Sequence, residues 1–295
     1  MRLDPLLPAL ALVLSASVVG MGCGEPSRAS VDPEDRVALA FPYDLSAPTR
    51  VLDLPPSLRE ISGLTVLPSG RLGAVQDEEG VIYEIDADGS VVSRLRFEGS
   101  GDFEGIELVP DQAVWVLRSD GDLYRVARDS TDAPEVIKYE TFLKSRYDTE
   151  GLGYDPTGNR LLVACKEWPG EDAAGDDYGD VRAVYAFDLE TRTMDTEPFV
   201  LLDRTQIDGA RSFKPSALAV HPVTGRVYVL SSVRRAVAEL DADGTVLAVA
   251  DLPSGVAPQP EGLAFSPDGT LYIASEGPSG PGTLLRYDPL RTDQP

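Results

Sequence analysis

Between residues 61 and 288 short apolar runs alternate with polar breaks, and one order of runs recurs five times. The repeats open on Ser62-Gly63-Leu64, Glu104-Gly105-Ile106, Glu150-Gly151-Leu152, Ser216-Ala217-Leu218 and Glu261-Gly262-Leu263. Five residues after each Gly, or after Ala217, stands a proline: Pro68, Pro110, Pro156, Pro222 and Pro267. Four of these prolines begin polar turns, and a β-rich run follows each of the five, at 72–75, 114–117, 161–164, 227–230 and 271–274. Third strands are predicted at 81–86, 123–126, 183–189, 236–241 and 283–288. Fourth strands are predicted at 91–97, 135–142, 198–202 and 245–252. Four short strands at a period of roughly 45 residues mark the blades of an all-β propeller. The third repeat is longer, because residues 168–182 are inserted between its second and third strands.

The fifth repeat stops after its third strand, near Pro289. Its missing strand is expected at the other end of the chain. Val51-Leu52-Asp53-Leu54-Pro55 closely matches Val249-Ala250-Asp251-Leu252-Pro253, and both lead into a first strand. Residues 49–55 are therefore predicted to close a five-bladed ring and remove its open edge. Six blades, the alternative, would need a further repeat hidden in the sequence. Residues 37–43 could add a strand whose place the pattern does not fix.

Composition then narrows the class. The 27 Gly and 24 Pro are spaced along the chain, which fits many short strands and turns rather than disorder. A net charge of −23 argues against nucleic acid or an anionic membrane surface as a partner. Residues 6–22 are apolar and end in small residues before Cys23, the layout of a signal peptide over 1–22. Cys23 after Gly22 resembles a bacterial lipoprotein processing site, with Gly20 where Leu is usual. The expected organisation is a leader (1–22), a lipid-anchored tether (23–36) and one propeller domain (37–295). The protein is then an exported monomer of the cell envelope, touching membrane only through a lipid on Cys23. Cys165, within an apolar run, is expected to be a buried small hydrophobe. The only histidine, His221, lies in a turn sequence, so neither a Cys–His nor a Ser–His hydrolase is expected and no catalytic residue is assigned.

The (Glu/Ser)-Gly-Leu starts, Ala-Cys-Lys-Glu at 164–167, and Gln259-Pro260-Glu261-Gly262-Leu263 with Ala274-Ser275-Glu276 resemble the SdiA-regulated family of bacterial propeller proteins. The likeness runs over residues 48–289. It implies the fold and export more than an activity. A weaker likeness is to the gluconolactonase and regucalcin-like propellers, whose channel holds a divalent metal used to hydrolyse lactones. The Asn ligands of those sites have no counterpart here, since Asn159, the only Asn, falls in a turn on the other face.

Propeller topology brings the residue before each Gly and the residues after each second strand to one mouth of the channel. The first set holds Glu104, Glu150 and Glu261, with Ser62 and Ser216; the second holds Asp77, Asp120, Glu167 and Glu276. Converging carboxylates repel one another unless compensated. One remedy is a hard cation such as calcium, with Glu104, Glu150 and Glu261 as chief ligands and Glu167 and Glu276 as further ones. The other is hydrogen bonding of each Glu to backbone amides of the next blade, with Lys166, Lys214 and Arg118 as counter-ions. A site needing imidazole or thiolate is nearly excluded. The leading expectation is a non-catalytic binding module for a small ligand or another envelope protein. The alternative is a metal-dependent hydrolase of lactones or esters, in which calcium polarises a carbonyl and a carboxylate serves as base.

Overall fold

The computed structural model describes residues 40–128, 134–207 and 212–290. The predicted leader and tether (1–36) lie outside the described residues. No helix among the described residues is long and apolar enough to cross a membrane.

Five antiparallel sheets form the blades of a propeller. Blade 1 contains β2 (Ile61–Val66), β3 (Leu72–Gln76), β4 (Glu79–Ile85) and β5 (Val91–Ser100). Blade 2 contains β6 (Phe103–Leu108), β7 (Val114–Arg118), β8 (Leu123–Val126) and β9 (Val136–Tyr139). Blade 3 contains β10 (Thr149–Asp155), β11 (Arg160–Cys165) and β12 (Val181–Asp188). Its outer strand is split into β13 (Thr193–Met194) and β14 (Val200–Asp203), which pair with opposite ends of β12. A single strand was expected there. Blade 4 contains β15 (Ala217–Val220), β16 (Val227–Ser231), β17 (Ala236–Leu240) and β18 (Val246–Asp251). Blade 5 contains β19 (Gln259–Phe265), β20 (Leu271–Glu276) and β21 (Thr283–Tyr287).

The strand β1 (Arg50–Asp53) completes blade 5, pairing antiparallel with β21 from Arg50↔Arg286 to Asp53↔Thr283. The closure predicted for residues 49–55 is thus present. Residues 40–45 form no strand. Instead Tyr43 and Leu45 sink between blades 4 and 5, and the Leu290 N–H donates to the Pro42 carbonyl at 2.8 Å.

Each of the five apolar clusters lies between two neighbouring blades. Trp115, Leu161 and Phe187 pack between blades 2 and 3, and Phe97, Phe103 and Tyr124 between blades 1 and 2. This packing accounts for the repeated glycine. A Cβ on Gly105 would stand 2.6 Å from the Leu152 Cβ and 3.2 Å from the Glu150 carbonyl oxygen. Inner strands of adjacent blades therefore approach too closely for a side chain at this point. Cys165 is fully buried in the cluster of blades 2 and 3 and, among the described residues, has no disulfide partner.

Candidate functional site at the acidic mouth

The inner strands β2, β6, β10 and β19 share one irregularity at their first turn of chain. Their pairing with the second strand skips a residue between Ile61 and Gly63, Phe103 and Gly105, Thr149 and Gly151, and Pro260 and Gly262. The skipped residues are Ser62, Glu104, Glu150 and Glu261. Each is the extra residue of a β-bulge, a device that re-aims one side chain while the rest of the strand keeps its register. The repeated Glu/Ser-Gly pair is thus a bulge residue followed by the glycine that admits the next blade.

The serines of this ring join blades. Ser62 Oγ donates to the Phe103 carbonyl at 2.6 Å, and Ser216 Oγ to the Pro260 carbonyl at 3.0 Å. The glutamates do something else. Glu104 is half-buried, and its pKa is pushed up to about 10, first by desolvation and then by the Glu150 and Asp102 carboxylates, with Glu261 adding to the effect. It is a carboxyl that stays protonated at neutral pH. Glu150 is 5 % exposed and pairs with the Lys166 ammonium. Burial and Glu261 raise its pKa to about 8 against the pull of Lys166. Burial also raises Glu261, against the pull of the Ser232 hydroxyl and of Lys166.

Glu276 belongs to the same group. Burial, then Glu261, Asp77 and Glu60, push its pKa up to about 7, and the Gln259 amide donates to it. Glu167 stands apart from these four and is paired with Lys214. Arg118, expected as a counter-ion for the ring, instead forks onto Asp120 (Nε–Oδ1 2.9 Å) and Asp122 (Nη2–Oδ2 2.5 Å). Among the described residues neither Glu104 nor Glu261 has an ion-pair partner. The insertion turns back on itself at Glu171↔Asp177 and anchors through Trp168, whose indole N–H donates to Asp177 at 2.7 Å.

A second polar ring escaped the sequence pattern. Two residues ahead of Ser62, Glu104, Glu150, Ser216 and Glu261 stand Glu60, Asp102, Asp148, Lys214 and Gln259. Asp102 adds charge beside Glu104, and Asp148 has its pKa raised by burial despite the nearby Lys166. The regular offset of these five residues was the available signal.

The donor chemistry is that of a hard-cation site: carboxylates, hydroxyls and an amide, all oxygen-bearing. The arrangement is not that of a finished one. Among the described residues no three acidic, histidine or cysteine side chains are placed to hold a metal ion. The charge is met from within, by the Lys166 ammonium on Glu150 and by a proton on Glu104.

Known structures place the fold. The Myxococcus xanthus glutaminyl cyclase is similar at 18% identity, with 83% of this chain and 97% of that chain covered and a TM-score of 0.57. A luciferin-regenerating enzyme is similar at 14% identity, covering 77% of each chain, with a TM-score of 0.50. A Xanthomonas campestris gluconolactonase is similar at 16% identity, covering 77% of this chain and 72% of that chain, with a TM-score of 0.48. At such identities the first two likenesses speak for the fold alone. A family model described as SdiA-regulated matches residues 50–280, from the closing strand β1 almost to β21, and the chain belongs to that family.

Proposed function

We propose that this protein is an exported, lipid-anchored propeller of the cell envelope that acts as a non-catalytic binding module and takes up a cation at its acidic mouth. The observation that carries the reading is Glu104, a half-buried carboxyl set among Glu150, Asp102 and Glu261 without a cationic partner among the described residues. Such a group keeps a proton in water and exchanges it when a stronger positive charge arrives. Calcium is the natural probe, because it accepts many oxygen ligands in flexible geometry. Uptake would release the Glu104 proton and push Lys166 away from Glu150, so affinity should rise with pH.

Lys166 therefore competes with the ligand, and Lys166→Gln tests the idea. The variant should bind calcium about tenfold more tightly than wild type by calorimetry, since a unit charge has left the site. If Lys166 is only a structural counter-ion, the variant will be less stable and calcium will neither bind nor restore it. Export and anchoring rest on residues 6–22 and Cys23. Cys23→Ser should move the protein from the membrane fraction to the soluble periplasm. A wild-type protein found soluble and without lipid by mass spectrometry would remove the anchor from the account.

A further inference from the structure

At the face opposite the acidic mouth, where the inner strands end in the proline turns, they enclose a cavity of about 340 Å³. One column of the repeat shapes it. Three residues after the repeated Ser or Glu, Thr65, Glu107, Ala219 and Ala264 line the cavity. Three of these four are short, and Glu107 is the one carboxylate among the lining residues. The walls above this column are apolar, with Val66, Val220 and Phe265 among them.

Glu107 is fixed in place. Its Oε1 accepts from Thr65 Oγ1 at 3.1 Å and from the Leu108 N–H at 3.0 Å, and the Tyr154 N–H also donates to the carboxylate. These bonds orient the group without neutralising it. Among the described residues no lysine, arginine or histidine pairs with it, and burial raises its pKa to about 7 in spite of the three donors. The imidazole of His221, on the same face, is already committed. Its Nδ1 accepts from the Val223 and Thr224 N–H groups, each at 3.2 Å, so Nε2 carries the hydrogen and donates to the Tyr43 hydroxyl at 3.1 Å.

We infer that this cavity is a second binding site, for a small ligand with an apolar body and a single ammonium head that meets Glu107. A carboxylate without a counter-ion in a partly apolar cavity is costly, and a bound cation removes that cost. An anionic ligand would face the Glu107 charge, and a neutral one would leave the carboxylate without a counter-ion. The volume lies at the small end of the range for ligand pockets, which suits a body of a few carbons.

The probe is n-hexylammonium, titrated calorimetrically at pH 8 into the purified full chain, with n-hexanol and hexanoate as comparators. Wild type should bind the amine about tenfold or more tightly than the alcohol, and hexanoate not at all. Glu107→Gln keeps the size of the side chain and its bond from Thr65, and should abolish the preference for the amine. Ala219→Leu fills the cavity without touching Glu107 and should weaken both amine and alcohol. The Glu104→Gln/Glu150→Gln/Glu261→Gln variant should still bind the amine, which separates this site from the acidic mouth. A wild type that does not prefer the amine overturns the inference. So does a preference that survives Glu107→Gln or vanishes in the triple variant.

Discussion

Deleting residues 37–55 should abolish cooperative unfolding. The deletion removes β1, whose ladder with β21 runs from Arg50↔Arg286 to Asp53↔Thr283, and leaves the outer edge of blade 5 bare. It also removes the flanking bonds from Thr49 N–H to the Arg286 carbonyl (2.8 Å) and from Leu54 N–H to the Gly282 carbonyl (2.7 Å). Tyr43, Leu45 and Leu54, each 3 % exposed, go with it. Burying a side chain of this size contributes about 1.5–3 kcal/mol, against roughly 5–15 kcal/mol for a whole domain. The truncated protein should melt broadly and aggregate through its open edge. A truncated chain that melts as sharply as the full one, at the same temperature, would mean that the ring closes in another way.

The second large effect is a loss of stability as pH rises. The folded-state pKa of Glu104, about 10, lies above its ordinary 4.5, so the native state holds a proton that the unfolded chain releases between those values. Native protonation exceeds unfolded protonation throughout this window, and stability therefore falls with increasing pH. Glu150, Glu276 and Glu107, raised to about 8, 7 and 7, act in the same direction over the lower part of the window. Each pH unit at a full one-proton difference removes about 1.4 kcal/mol. In chelator, the wild-type midpoint should drop by several degrees between pH 6 and pH 9. Glu104→Gln holds the neutral form permanently, so its midpoint should drop distinctly less. Equal slopes for the two proteins would show that Glu104 is ionised in the fold.

Much of the fold was legible because its constraints fall on residue types that few others can replace. Gly105 and its equivalents have no room for a side chain, and the prolines set the turns, so the repeat survives as a visible spacing. The closing strand could be found because Val51–Pro55 and Val249–Pro253 occupy the same place in neighbouring blades. The split of β13 from β14 was not legible, since neither piece is long enough to show alternation. At the mouth, topology brought some of the named side chains together and turned others elsewhere. Glu104, Glu150, Glu261 and Glu276 do meet, but Glu167 turns to Lys214 and Arg118 to its own turn. Parity along a strand decides which face a residue takes, and the bulge at each inner strand interrupts parity just where the site lies. That is why the ring of Glu60, Asp102 and Asp148 went unread. Glu107 occurs in one repeat only, so no recurrence pointed to it.

The central claim is that Glu104, Glu150 and Glu261 form the core of a cation site, and thermal melts of wild type and the Glu104→Gln/Glu150→Gln/Glu261→Gln variant test it most directly. Each protein is melted at pH 8 with chelator and with calcium in large excess. At one hundred times the dissociation constant, calcium should add about 2.7 kcal/mol to wild type and nothing to the variant. In chelator the variant should be at least as stable as wild type, because burial and like charge raise all three pKa values in the fold and neutral amides remove that cost. The account is contradicted if wild type ignores calcium while the variant is destabilised, for the glutamates would then serve the fold and not a ligand.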